Sequence, residues 1–219
     1  GWNGFNVLHT AASRVGALDI GCVPSEQGAN LDTMLGAAQT REMEVLYLLG
    51  ADEFDVSQTG DAFVIYQGSH GDSGARLADV ILPGAAYTEK DGTYVNTEGR
   101  VQLGARAVFP PGEAKEDWRI IRALSEHLGR PLSFDTLEQL RGAMYRDHPH
   151  LAEIDHCEPG DASEIQALAD GAAEVTSTPF ASPVESYYLT NPIARASHVM
   201  QELVALERAD ALGETGTDG

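Results

Sequence analysis

The sequence of 219 residues is short of cysteine and of positive charge, and it has no long apolar run. Its two cysteines, Cys22 and Cys157, lie far apart, and neither belongs to a C-x-x-C pair. A disulfide framework needs more of them, so a reducing compartment is the better prior. Four-thiolate iron–sulfur or zinc ligation is beyond this supply. There are 14 Lys and Arg against 34 Asp and Glu, a net charge of −20. A surface that acidic repels nucleic acid and anionic headgroups, which are bound through clustered cations. No nucleic-acid partner is expected. The longest apolar runs, such as Val45–Leu49, are strand-sized, far short of the roughly 20 residues that span a bilayer. Direct membrane insertion is therefore not expected either. The first residues, Gly1-Trp2-Asn3-Gly4, lack the basic-then-apolar order of a signal peptide. The start without Met, in what reads as the middle of a domain, leads us to expect a fragment of a longer chain.

Hydrophobic residues make up 42% and charged residues 22%, the proportions of a chain that folds around a core. Phe5, Leu8, Ala12, Val15 and Leu18 recur at helical spacing with Gly21 as a stop, so a helix is expected over 5–18. A second is expected over Leu31–Ala38, capped by Asn30. Val45–Leu49, Phe63–Tyr66 and Val80–Leu82 are then continuous apolar runs. Such runs predict parallel strands covered on both faces, in an α/β layer. From Gly84 to Pro111 glycines and prolines replace the helical period, which reads as an irregular arm with room for one hairpin. Helices return afterwards. Glu113, Glu116 and Asp117 crowd the first turn of one, Ile120, Ile121, Leu124 and Leu128 form its apolar face, and Gly129 and Pro131 end it. Asp135 and Glu138 stand in capping-box spacing before Leu137, Leu140 and Met144, and Pro149 limits that helix. A weaker helix is expected over 161–174 and an extended linker over 177–186. Asn191-Pro192 opens a last helix, with Ile193, Ala196, Met200 and Val204 on one face. The tail after Leu212 reads as disordered.

The candidate chemistry is sparse. His148, His150 and His156 lie near Asp147, Glu153, Asp155 and Cys157, but Pro149 removes the regular backbone that would make them converge. Solvated loop residues outweigh a metal site. His70, in Gln67-Gly68-Ser69-His70-Gly71-Asp72, follows a predicted strand, where open α/β sheets bind ligands. Its spacing is neither a dinucleotide fingerprint nor a P-loop, and a structural loop is favoured over a binding loop. Gly50-Ala51-Asp52 follows the first strand in the same position. A backbone cradle there could hold a phosphate, yet Asp52 and Glu53 put negative charge at its mouth. No Ser-His-Asp or Cys-His set assembles with any sequence logic.

One stretch is far more specific. Residues 78–102, with the core A-D-V-I-L-P…E-K-D-G-T-Y-V-N-T-E-G-R, resemble a signature of the molybdopterin oxidoreductase superfamily. The flanks Phe63–Asp72 and Pro110–Glu126, the start Gly1-Trp2-Asn3…Ala11-Ala12-Ser13, and Phe180…Tyr188-Leu189-Thr190-Asn191-Pro192-Ile193-Ala194-Arg195-Ala196-Ser197 are similar to the large iron–sulfur subunit of respiratory NADH:quinone oxidoreductase. The likeness is weakest over 22–43 and 147–176. It implies the catalytic-scaffold fold of molybdenum enzymes: an α/β fold with a partly parallel sheet flanked by helices, an irregular arm and C-terminal helices. The expected division is a molybdopterin-oxidoreductase-like domain with its arm at 1–109, a helical segment at 110–176, and linker, helix and acidic tail at 177–219. The resemblance also implies no cofactor in this segment, the iron–sulfur clusters lying in the N-terminal part of such subunits. Gly50-Ala51-Asp52 departs from the Gly-x-Asn pattern that helps hold the pterin nucleotide in active relatives. Gly50, Asp52 and His70 are thus vestigial cofactor-site candidates, with no catalytic or metal-ligating residue assigned. A structural and docking role in electron transfer from NADH to quinone is expected, among the other hydrophilic-arm subunits. The location implied is peripheral, on the cytoplasmic side of a bacterial inner membrane or the matrix side of a mitochondrial one. A catalytic fragment of a molybdopterin enzyme such as a formate dehydrogenase is the competing reading. A stand-alone metal module resting on the His148–Cys157 group is a third.

Overall fold

The chain is seen in a computed structural model that describes residues 7–9, 11–12, 14–25, 28–158, 160–161, 163, 166–167, 176–182, 184 and 186–211. Three strands, β1 (Val45–Leu49), β2 (Phe63–Gly68) and β3 (Val80–Pro83), form a parallel sheet in that order. Val45 lies beside Phe63 and Leu49 beside Gln67, while Ile65 lies beside Val80 and Gly68 beside Pro83. The strands fall where the apolar runs place them. Parallel strands need a crossover rather than a tight turn. The first crossover runs through a 3-10 turn at Val56–Thr59, and the second through the short helix α3 (Ser73–Leu77). Ahead of the sheet, α1 (Arg14–Asp19) and α2 (Leu31–Gln39) are the first helices. The Asn30 side chain accepts the Thr33 N–H at 2.9 Å, which is the expected cap of α2.

The sheet's core lies on one face. Leu46, Leu48, Val64 and Tyr66 pack with Ala38 of α2, and Ala75 and Leu77 of α3 and Phe54 close around them. The opposite face corrects the expectation of cover on both sides. Val45, Leu49 and Phe63 are 53%, 51% and 45% exposed there. The absence of alternation does report two apolar faces, but the described residues supply helices to only one. At the carboxyl corner that second face does close. Gln67 is fully buried, donates an N–H to Asp117 at 2.8 Å and accepts the Tyr47 hydroxyl, while Lys90 pairs with the other Asp117 oxygen. Burial, then the Asp117 charge, raises the Tyr47 pKa.

The irregular arm holds the hairpin, with β4 (Gly92–Val95) antiparallel to β5 (Val101–Gly104). It seeds a second core in which Val95, Val101 and Leu151 are buried with Val15, Met144, Tyr145 and Ile154 around them. The next helices are α4 (Asp117–His127) and α5 (Leu137–Asp147). Gly129, at φ 70°, ends the run after α4 as expected, and the Arg130 N–H reaches back to the Ser125 carbonyl at 2.9 Å.

Four local expectations are corrected. Helix α1 begins only at Arg14, and Val7–His9 are not helical. Leu8 is 84% exposed, so among the described residues its apolar spacing meets no surface, and a short helix without packing does not form; residues 5, 6, 10 and 13 lie outside the described ones. Glu113 lies outside α4, whose N-cap is Glu116. The cap of α5 is Thr136, which accepts the Gln139 N–H at 3.2 Å, one residue later than Asp135. The last helix is two: α6 (Pro192–Ala196) and α7 (His198–Ala211). Ser197 has ψ 119° and breaks the run, so Ile193 does not share a buried face with Val204, while Val204 itself is buried. The helix expected over 161–174 falls largely outside the described residues, and the tail after 211 wholly so. No described helix is long and apolar enough to cross a membrane.

Candidate functional site

The crevice at the carboxyl ends of β1 and β2 holds three carboxylates, Asp52, Glu53 and Asp72, paired with one guanidinium, Arg195. Gly50 leaves β1 with φ 61°, and its N–H donates to the Gln67 carbonyl at 2.7 Å. That turn lowers Asp52 into the fold, where its side chain is only 2% exposed. One Asp52 oxygen accepts the Gly74 N–H at 3.1 Å. A methyl group on Gly74 would come within 2.8 Å of the Asp52 Cβ and of the Tyr66 ring, so the close approach requires glycine there. Asp72 caps α3 by accepting the Ser73 N–H at 2.9 Å.

The remaining oxygens of this set converge on one side chain from far along the chain. Arg195, in α6, donates Nη2–H to Asp52 at 3.0 Å, Nη1–H to Glu53 at 2.9 Å and Nε–H to Asp72. All three guanidinium nitrogens are engaged by different carboxylates. Burial works against the Arg195 charge, but hydrogen bonds to Asp72 and Glu53 and the nearby Asp72 and Asp52 charges outweigh it and raise its pKa. The Arg195 hydrogen bond holds the Asp72 carboxyl below its usual range, against the opposing effect of burial. Tyr66 is pushed up by burial and then by the Asp52 and Asp72 charges.

Of the sequence candidates, Gly50 and Asp52 belong to this crevice. His70 takes part through its backbone, whose carbonyl accepts the Tyr66 hydroxyl at 3.0 Å, while its ring Nδ1 meets Ser69 Oγ at 2.9 Å. Sequence reasoning missed Asp72 and Arg195. The signal that could have found Arg195 is its place in Asn191-Pro192-Ile193-Ala194-Arg195, a helix start holding a single cation in an acidic chain. Of the His148–Cys157 group, His150, Glu153, His156 and Cys157 line one open cleft together with Asp19 and Glu158, yet the two histidines and the cysteine meet separate partners. His150 faces Asp19 at 3.5 Å, His156 faces Glu158 at 3.3 Å, and Cys157 donates to the Glu98 carbonyl at 3.0 Å. Among the described residues no three His, Cys, Asp or Glu side chains are grouped to hold a metal.

The profile of the molybdopterin oxidoreductase family matches residues 1–127. The chain belongs to the molybdopterin oxidoreductase family. A second profile, that of the C-terminal region of an NADH-ubiquinone oxidoreductase subunit, matches residues 153–203. The chain is 45% identical over 213 residues to the mitochondrial 78 kDa subunit of NADH-ubiquinone oxidoreductase from Neurospora crassa, covering 94% of this chain and 27% of that protein. It is 44% identical over 214 residues to the Candida albicans 78 kDa subunit, covering 93% and 28%. The corresponding figures for the 75 kDa subunit of Reclinomonas americana are 43% over 199 residues, 91% and 28%. This chain therefore spans little more than a quarter of the length of these relatives. Among solved structures, acetylene hydratase from Pelobacter acetylenicus is similar with a TM-score of 0.44 at 19% identity, over 80% of this chain and 25% of that one.

The family implies a pterin nucleotide at the strand ends. The residues present do not fit its phosphates. Three carboxylates, Asp52, Glu53 and Asp72, crowd this crevice, and the guanidinium of Arg195 is bonded to all three.

Proposed function

We propose that the chain is a structural and docking segment of the large iron–sulfur subunit of an NADH:quinone oxidoreductase, supporting electron transfer from NADH to quinone without a redox centre of its own. The carrying observation is identity of 43–45% to 75 and 78 kDa subunits along more than nine-tenths of this chain. The crevice adds support, because its chemistry suits a cation from the same chain rather than a nucleotide phosphate. Iron–sulfur clusters belong to the rest of the subunit, and the partners are the other hydrophilic-arm subunits. The segment sits peripherally, on the cytoplasmic side of a bacterial inner membrane or the matrix side of a mitochondrial one.

The test is to tag the chain in its host and purify it in mild detergent. An assembly that oxidises NADH with a quinone acceptor, holds iron and lacks molybdenum is expected. Molybdenum in stoichiometric amount with formate oxidation would replace this reading by the catalytic one.

A further inference from the structure

We infer that the crevice at the carboxyl ends of β1 and β2 is a guanidinium socket, and that Arg195 seated in it clasps the C-terminal helical segment, residues 187–211, to the sheet. The inference rests on the geometry of this chain and stands whether or not the reading above survives.

Two of the three acids are fixed by backbone independently of Arg195. Asp52 is held by the Gly74 N–H and Asp72 by the Ser73 N–H. The backbone thus aims one oxygen each of Asp52 and Asp72 at the same place, where Glu53 joins them. Three carboxylates that close repel one another, and the buried Asp52 cannot be relieved by water. A single cation must sit among them for the loops at 50–53 and 72–77 to keep this arrangement. The occupant is also selected by shape. A planar fork offers N–H groups in three directions, and Arg195 uses its Nε, Nη1 and Nη2 on Asp72, Glu53 and Asp52 respectively. An ammonium group is a point charge on a flexible stem and cannot reproduce that fork.

The occupant carries its own chain with it. Asn191 caps α6 by accepting the Ala194 N–H at 2.9 Å, and Pro192 stands in its first turn. The Arg195 carbonyl accepts an N–H from the Gln201 side chain at 2.6 Å, which ties α6 to α7. Arg195 thus joins both helices to acids more than a hundred residues earlier in the chain.

The test is hydrogen–deuterium exchange on the full chain, comparing the parent with Arg195→Ala, Arg195→Lys and, as control, Arg208→Ala on the exposed side of α7. Arg195→Ala is expected to speed exchange on the order of tenfold or more both in 192–204 and in the loops 50–53 and 72–77. Arg195→Lys is expected to do nearly the same. Guanidinium chloride at low millimolar concentration, against an equal concentration of sodium chloride, is expected to restore the loops in Arg195→Ala. It should leave 192–204 unprotected, because the free ion refills the socket without the tether. Parent-like exchange in Arg195→Ala or Arg195→Lys, or equal effects of the two salts, would overturn the inference. If Arg195→Ala alone does not fold, the variant that adds Asp52→Asn and Asp72→Asn removes the repulsion and is expected to fold. Its failure too would overturn the charge reasoning.

Discussion

The polar chain from Tyr47 through Gln67 and Asp117 to Lys90 pins β1, β2, α4 and the arm together, and replacing Gln67 by Met tests what it contributes. Gln67 is fully buried, and Met matches its length and volume closely, so no cavity enters the comparison. The substitution removes an N–H donated to the Asp117 carboxylate at 2.8 Å and the acceptor of the Tyr47 hydroxyl. A hydrogen bond to a charged group contributes about 1.5–3 kcal/mol and a neutral one about 1 kcal/mol. Two effects offset this. Tyr47 is half-buried and its hydroxyl turns to water, and Asp117 keeps Lys90. Burying a thioether in place of an amide is also favourable by roughly 1 kcal/mol or more. The net expectation is a loss of about 2 kcal/mol. With a urea dependence of about 1–3 kcal/mol per molar, the unfolding midpoint falls by roughly 1 M. Urea titration followed by circular dichroism at pH 7 measures it. Repeating the substitution in an Asp117→Asn background isolates the pair, and a coupling of about 1 kcal/mol is expected. If the midpoint is unchanged or raised, the chain contributes nothing beyond its apolar surroundings and the reasoning fails.

Further outcomes are open to equally direct measurement. Gly60 has φ 58° and ψ −135°, the first central position of a type II′ turn, and a methyl there would lie 2.7 Å from the Ala38 carbonyl oxygen. Gly60→Ala is expected to cost about 2–4 kcal/mol from backbone strain and overpacking together, visible as a lowered Tm. Leu151→Ala empties the second core beneath the hairpin and is expected to cost about 2–5 kcal/mol, read by urea unfolding. Val204→Asp puts an unpaired charge in a buried position of α7; an unchanged Tm would mean that α7 is not packed on the fold. The clasp has a pH signature as well. The folded pKa of Asp72 is depressed, so its contribution is fully present above the ordinary Asp value of about 3.9 and is lost as pH falls through the lower folded value. The Tm difference between the parent and Asp72→Asn should hold constant from about pH 8 to pH 5 and shrink only below the ordinary Asp range.

What could be read in advance was local. The three strands announce themselves because apolar runs of strand length have few other uses in an acidic chain. Asn30 and Gly129 mark helix ends because each satisfies backbone groups within a turn of itself. The breaks that escaped are those decided by packing or by competition between adjacent caps. Leu8 has helical spacing and stays exposed among the described residues, and Thr136 caps α5 where Asp135 was equally eligible. Ser197 sits where the apolar period runs on unbroken and still ends a helix. The crevice escaped for a different reason. Periodicity carries no information about which cation meets which carboxylate across more than a hundred residues, so Arg195 entered only as one letter of a matching stretch.

Asp52 shows how one atom can tie these scales together. The resemblance places an amide where this chain has a carboxylate, and an amide can accept the Gly74 N–H while leaving the crevice neutral. A carboxylate in the same buried place makes the same hydrogen bond but adds a charge that the surroundings must cancel. Asp72 and Glu53 make the requirement heavier rather than lighter. The chain meets it with Arg195, and the cation that neutralises the acids also brings two helices with it. A carboxylate at position 52 therefore sets the charge of the crevice and the seat of Arg195 together. Asp52→Asn should separate them: the Gly74 hydrogen bond survives, so the 50–53 loop keeps its course, while Arg195 loses its most buried partner and exchange across 192–204 quickens.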